Sequence, residues 1–344
     1  MFQSLTTPFY RIIGTWALLC FVTMTGCQTI NSTGEETVRH GDEIVVAGRF
    51  FRTGTRVVTW LDPQGYDAYR VEARFADLNA SGWDALKDTL PAWGSPNRYG
   101  MRIDRFNNGR PDFTPEEIEA VRGGTWQLEQ LQDIVDQFVI HYDACGTSKY
   151  CFEVLQDMRS LSVHFLLDVD GTIYQTLDLQ ERAWHATTSN SRSVGIEIAN
   201  VGAYAPDDRD VLDRWYIESE GKPTVINIPA DRLGNLDPET DYSPSRDQPV
   251  AGVIHGQELV QYDLTDAQYD ALIKLTATLN KVLPKIKLDA PRDDRGNVRM
   301  DVLTPQEQAA FQGVIAHHHL TAEKVDPGPA FDWERIVEGA KKLR

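Results

Sequence analysis

The sequence predicts an α/β fold in which helices layer against a sheet. Three observations lead there. Short apolar or alternating segments near 138–141, 162–178 and 193–200 have strand character. Between and after them lie segments with helical spacing and helix-start signals. The chain has 344 residues, is 41% hydrophobic, and shows no internal repeat. That is enough for a substantial core, in one large domain with embellishments or two small ones.

The elements follow in chain order. Residues 27–45 are polar and read as a tether. From 45 to about 62, within IVVAGRFFRTGTRVVTWLD, the pattern alternates and is expected to form a β-hairpin turning at Gly54. Residues 63–112 are rich in Gly, Pro, Asn and Arg and take no assignment. Thr114-Pro115-Glu116-Glu117 starts a helix, with proline at the first helical position. A helix over 127–136 leads into a strand, FVIH, ending on His141. Phe152–Met158 reads as a helix. LSVHFLLDVDGTIYQTLD gives two strands joined by a tight turn at Asp170-Gly171. In SVGIEIAN, Val194, Ile196 and Ile198 face one way, while Gly195, Glu197 and Ala199 face the other. Residues 202–262, rich in Asp, Pro and Tyr, are expected to be an inserted surface loop. Thr265 and Gln268 form a capping box, and the helix after it carries Leu272, Leu275, Leu279 and Val282 on one stripe until Pro284. Residues 285–303 are a second, charged insertion; Thr304-Pro305 opens a short helix, VIAH follows, and 332–342 closes the chain as a helix.

Composition narrows the partners. With 34 Lys and Arg against 51 Asp and Glu, the formal net charge is −17, which excludes nucleic acid, because phosphate binding needs a basic face. A monomer is expected. Residues 1–26 read as a targeting segment: Arg11 precedes an apolar run, IIGTWALLCFVTMT, too short to span a bilayer comfortably. The run ends in Met24-Thr25-Gly26-Cys27, which resembles a bacterial lipobox. That resemblance implies cleavage before Cys27, lipidation of Cys27 and attachment to a membrane surface. Gln28 follows Cys27 in place of an inner-membrane-retaining Asp, so an outer-membrane site facing the periplasm is expected. In an oxidising compartment Cys145 and Cys151, both beyond this segment, are expected to form a disulfide. The rival reading, Cys145 as a nucleophile beside His141, is weaker, since an exported thiol with a neighbour in reach tends to oxidise.

The segment 317–333, HHHLTAEKVDPGPAFDW, carries the chemistry. It places histidines, a lysine and an aspartate within ten residues and then stiffens the chain with Pro327 and Pro329. An imidazole and a carboxylate nine positions apart can reach one metal ion if the loop folds back. A third ligand from upstream would complete a zinc site with an open position, and His141 is the candidate. Any of His317, His318 and His319 could serve by this reasoning alone.

FVIHYDACG, SVHFLLDVDGTIYQ, RAWHATTSNSRSVGIEIAN and KVDPGPAFDW, in this order, resemble the type 2 N-acetylmuramoyl-L-alanine amidases, a family that includes phage amidase-type lysozymes and peptidoglycan recognition proteins. The resemblance covers about 126–340 outside the insertions, and its DPGPAFDW ending is similar to that of lipoprotein amidases and anhydro-muropeptide amidases. It implies a central mixed β-sheet flanked by helices over 126–344, with 46–125 an N-terminal extension of unassigned role. It also implies a zinc enzyme that hydrolyses the lactyl-amide bond between N-acetylmuramic acid and L-alanine in peptidoglycan or muropeptides. By position the zinc ligands are His141, His317 and Asp326; His317 is selected because it stands three residues before an aliphatic, Leu320. Glu197, in GIE, matches the catalytic glutamate, and Lys324 matches a lysine that stabilises an oxyanion. His185, His164, Trp184 and Asn190 are implied to border the substrate, with Arg192 nearby. The loop before Asp326 is one residue shorter than the common family form, and the tyrosine that some phage relatives carry near His164 is absent. Two other classes fit the residues less well. A non-catalytic peptidoglycan-binding module would have lost a ligand, and a zinc peptidase lacks support because no HExxH pair is present.

Overall fold

The computed structural model describes residues 32–89, 98–102, 114–122 and 124–344. The expected signal segment, Cys27 included, lies outside them. No helix among the described residues is long and apolar enough to cross a membrane.

The centre is a six-stranded sheet: β1 (Val57–Thr59), β2 (Gln137–Tyr142), β3 (Phe165–Leu167), β4 (Ile173–Gln175), β5 (Ser193–Ile198) and β6 (Gly313–Ala316). Their spatial order is β6-β2-β5-β3-β4-β1. β6, β2, β5 and β3 run parallel, β3 and β4 form an antiparallel hairpin, and β1 joins β4 in parallel. This is the expected mixed sheet. Five helices bear on the site: α1 (Leu128–Ile134), α2 (Ser148–Glu153), α3 (Asp266–Val282), α4 (His317–Leu320) and α5 (Trp333–Lys342).

Period-two alternation decides which side of the sheet is core. Phe138, Ile140, Val194, Ile196, Ile198 and Val314 share one cluster with the α3 stripe Leu272, Leu275, Leu279 and Val282. The α3 capping box forms as expected: Thr265 Oγ1 accepts from Gln268 N at 3.0 Å, and Gln268 Oε1 accepts from Thr265 N at 2.9 Å. Arg335 of α5 lies over the Tyr269 ring at 4.2 Å. With this face filled by α3, the opposite face is left for the site.

Several expectations need correction. The hairpin turns at Ala47-Gly48, not Gly54: Glu43–Val46 pairs antiparallel with Arg49–Arg52, and both turn residues have positive φ, 50° and 72°. Val57–Thr59 leaves the hairpin and becomes β1 of the central sheet. Gln175 ties the hairpin down, accepting from Val45 N at 2.7 Å and donating to Val45 O at 2.8 Å. Ile44, Val46, Phe51 and Val57 enter the main core. A boundary at 126 therefore does not hold for residues 43–59; alternation marks a strand but not its partner. The helix expected at Phe152–Met158 begins earlier, as α2, and continues as a wider turn over Val154–Arg159. The 202–262 insertion is folded rather than a plain loop. It holds a helix (Asp210–Trp215), two hairpins and its own cluster around Trp215, Tyr216, Ile226 and Tyr262, with Tyr216 stacked on Tyr262 at 4.0 Å.

Candidate metal centre

Strand register brings the upstream residues together. On the parallel strands β2 and β5, His141 is paired with Glu197. Paired residues point to the same face, so both side chains leave the sheet opposite Ile140 and Ile196. On the other flank Ala316 of β6 pairs with Ile140. His317, the next residue, therefore opens α4 beside His141. The loop then doubles back to Asp326, whose carbonyl accepts from His318 N at 3.2 Å. Gln261 from the 202–262 insertion holds the turn: Nε2 donates to Pro327 O at 3.0 Å, and Oε1 accepts from Ala330 N at 3.0 Å. Gly328, at φ 89°, lets that amide pass; a Cβ there would lie 2.0 Å from Gln261 Oε1.

Three donor atoms converge. His141 Nδ1 lies 2.8 Å from Asp326 Oδ2 and 3.0 Å from His317 Nδ1, and His317 Nδ1 lies 3.1 Å from Asp326 Oδ2. All three residues are buried. No placement of protons satisfies three such mutual contacts. Two bare imidazole nitrogens repel, two protonated ones clash, and with one of each the bare nitrogen faces the Asp326 carboxylate oxygen, acceptor against acceptor. A shared cation resolves this, and the separations fit one: tetrahedral ligands about 2.0–2.1 Å from zinc stand about 3.3 Å apart. Burial first, then His317, pushes His141 down to about 4, so its imidazole is neutral at neutral pH. Burial opposes ionisation of Asp326, but His317 and His141 more than offset it and hold the carboxyl far below the usual range.

The structure also separates the three consecutive histidines. His319 Nδ1 accepts from Ala316 N at 3.0 Å and its Nε2 donates to Arg299 O at 2.7 Å. His318 Nδ1 lies 3.1 Å from Asp326 O, a backbone atom. Both are fully buried and point away from the donor triangle, so His317 is the member that joins it.

Glu197 sits partly exposed on the floor of a cleft of about 590 Å³, with His141, His317 and Asp326 along it. Burial, then the charges of Asp326 and Asp143, raise its carboxyl well above the ordinary value, against the pull of Lys324. Lys324 is exposed on the cleft rim, and its carbonyl accepts from His255 Nε2 at 3.0 Å. Such an assembly has a place for a divalent cation, a carboxyl group in the same cleft and a positive charge at its edge.

The family model described as N-acetylmuramoyl-L-alanine amidase matches residues 130–329, more than half of the chain. The chain belongs to the N-acetylmuramoyl-L-alanine amidase family. A 1,6-anhydro-N-acetylmuramyl-L-alanine amidase, AmpD, of Haemophilus influenzae is 27% identical over 191 residues, covering 55% of this chain and 64% of that protein. Among solved structures, a selenomethionine derivative of AmpD is 18% identical, with a TM-score of 0.32 over 72% of this chain and 91% of that one. The E. coli amidase AmiD, solved with anhydro-N-acetylmuramic acid-L-Ala-D-gamma-Glu-L-Lys, is 21% identical, with a TM-score of 0.31 over 60% of this chain and 57% of that one.

Within this amidase-family chain, Trp184, His185 and Asn190 line the cleft. His164 does not. It is fully buried, Gly195 N donates to its Nδ1 at 3.1 Å, and its Nε2 lies 3.0 Å from Glu181 O. Arg192 is also withdrawn, held by Asp136 at 2.6 Å and by carbonyls of Gln308, Ala309 and Phe311. The expected disulfide is not formed: Cys145 and Cys151 are free, buried thiols in the cleft wall. Burial and a hydrogen bond with Cys145 raise the Cys151 thiol well above its ordinary value, which keeps it protonated. Sequence reasoning missed Asp143, whose Oδ1 accepts from Cys145, Gly146 and Asn200 backbone N–H groups, each at 2.9–3.1 Å. Burial, against those bonds, raises its carboxyl to about 7. It also missed Gln261 and His255. Neither carries a local signal, because each acts on a loop some sixty or more positions later in the chain.

Proposed function

We propose that this chain is a zinc-dependent N-acetylmuramoyl-L-alanine amidase acting on the amide between the lactyl group of N-acetylmuramic acid and L-alanine, in peptidoglycan or muropeptides. The observation that carries the reading is the convergence of His141, His317 and Asp326 beside Glu197. Those three residues would hold zinc, which when bound supplies a Lewis acid that polarises the carbonyl and acidifies water. Glu197 takes the proton of the attacking water and delivers it to the nitrogen of L-alanine as the carbon–nitrogen bond breaks. Lys324 places its ammonium where negative charge grows on the carbonyl oxygen. His141 and Asp326 stay neutral and anionic respectively, as ligation requires. The products are a glycan with a lactyl carboxylate and a peptide with a free L-alanine amine. We also read Met24–Cys27 as a lipobox, so that Cys27 carries lipid and the amidase faces the periplasm from the outer membrane. Recovery in the inner-membrane fraction would remove that placement.

Mass spectrometry of muropeptides after digestion tests the activity, alongside metal analysis of the purified protein. Wild type is expected to carry about one zinc and to release stem peptide in a chelator-sensitive way. Asp326→Ala is expected to lose both. Glu197→Gln keeps the zinc and loses rate by about 10²–10⁴-fold. Because burial raises Glu197, its carboxylate form builds up only at higher pH; kcat/KM should rise with pH above the usual carboxylate range, and that limb should vanish in Glu197→Gln. Tight muropeptide binding without release would instead point to a recognition module.

A further inference from the structure

We propose that Arg102, which lies outside the family match, is a positioning residue for the metal centre, acting through the 185–193 loop and His185. The inference rests on the metal-dependent reading above. Strand Tyr99–Met101 pairs antiparallel with Glu181–Ala183, which delivers Arg102 beneath the cleft wall. Arg102 is 0% exposed. Its Nε donates to Leu179 O at 2.9 Å, and Nη1 faces Asn190 O, Ser191 O and Ser193 O at 3.4, 3.2 and 3.0 Å. None of these bonds goes to a carboxylate. A buried guanidinium with no ion-pair partner among the described residues is costly, so its fork serves geometry: it gathers three carbonyls of one loop.

That loop holds His185. Asn190 Oδ1 accepts from His185 N at 3.1 Å and Ala186 N at 2.6 Å. His185 Nδ1 lies 3.0 Å from His141 Nε2, and His185 Nε2 lies 3.3 Å from Ser193 Oγ. The direction of the protons follows from the centre. His141 turns Nδ1 to Asp326 and His317, so its proton is on Nε2 and is donated to His185 Nδ1. His185 then carries its own proton on Nε2 and donates it to Ser193 Oγ. Both anchors of His185, Asn190 and Ser193, are residues whose carbonyls Arg102 grips. The far side of the guanidinium, Nη2, lies 3.0 Å from the Nε2 edge of His164, whose ring stands edge-on to His185 at 5.9 Å. Removing Arg102 frees both anchors; the His164 ring stays held by Gly195 N and Glu181 O. A ligating imidazole whose outer N–H loses its partner binds metal about 10–100-fold less tightly.

The test compares Arg102→Met, Arg102→Lys and Arg98→Met in the full chain. Arg98 is equally buried in the same segment, but donates to Gln156 O and Val71 O, away from this loop. Two readouts are used: zinc affinity by competition with a chromophoric chelator, and the visible absorption of the Co²⁺-loaded protein. Arg102→Met should weaken zinc about 10-fold or more and shift the Co²⁺ bands. Arg102→Lys should fall between it and wild type, because one ammonium cannot span the carbonyls. Arg98→Met should lower the melting temperature and leave both readouts unchanged. Wild-type zinc affinity and spectrum in Arg102→Met overturn the inference, as does an equal loss in Arg98→Met. If Arg102→Met does not fold, Ser193→Ala removes only the hydroxyl that His185 uses, and unchanged affinity there is equally fatal. Wild type that binds no zinc would instead sink the metal-dependent reading itself.

Discussion

Replacing Gly195 by alanine probes the same centre from the strand below it. Gly195 lies on β5 with the His185 ring against it. A Cβ there would stand 2.4 Å from Cε1, 2.5 Å from Nδ1 and 2.8 Å from Nε2 of that ring. Ordinary carbon contacts are about 3.5–4.0 Å, so the ring must withdraw by about 1 Å. Its Nδ1, now 3.0 Å from His141 Nε2, would move to about 4 Å, beyond hydrogen-bond reach. Loss of that partner should weaken zinc about 10–100-fold, or about 1.4–2.8 kcal/mol. Overpacking costs about 1–3 kcal/mol of stability, partly offset by about 0.5–1 kcal/mol from removing a strand glycine. Zinc competition and urea unfolding of Gly195→Ala measure the two effects separately. The double variant Gly195→Ala/His185→Ala should recover stability without recovering zinc affinity. Wild-type zinc affinity in Gly195→Ala, with or without a stability change, would show that the His185 contact does not support the metal site.

Two further outcomes are expected. His317→Ala should abolish stoichiometric zinc, whereas His318→Ala and His319→Ala should retain it and lose about 1–3 kcal/mol of stability, since the first takes a partner from Asp326 O and the second takes partners from Ala316 N and Arg299 O; zinc retained by His317→Ala but lost by His319→Ala refutes the ligand choice. Asp168, fully buried, has its carboxyl raised to about 8 by burial first and then by Asp170. Its folded value lies above the unfolded value of about 3.9, so its contribution is complete below that pH, declines as pH rises, and is lost above about pH 8. Asp168→Asn removes that decline, and urea midpoints from pH 4 to 9 should be flatter than wild type; parallel slopes would count against the assignment.

Local signals in the sequence specify structure where a single element suffices. The Thr265–Gln268 capping box, the Leu272–Val282 stripe and the alternation of SVGIEIAN each depend on neighbours within one turn or one strand. The motifs also singled out His141, His317 and Asp326, whose ligand atoms converge, and Glu197, which lies in the same cleft. The tertiary structure decided the rest. Pairing of His141 with Glu197 is a matter of register between strands more than fifty residues apart. The choice of His317 over His318 and His319 depends on where β6 ends and α4 begins, a one-residue phase that three identical side chains cannot reveal. Val57–Thr59 joined the sheet rather than the hairpin, and Arg102 reached the cleft wall from outside the family match, because pairing partners and buried hydrogen bonds are fixed by chain segments that meet only after folding. The sequence by itself determined which groups could do the chemistry; only packing determined which of them meet.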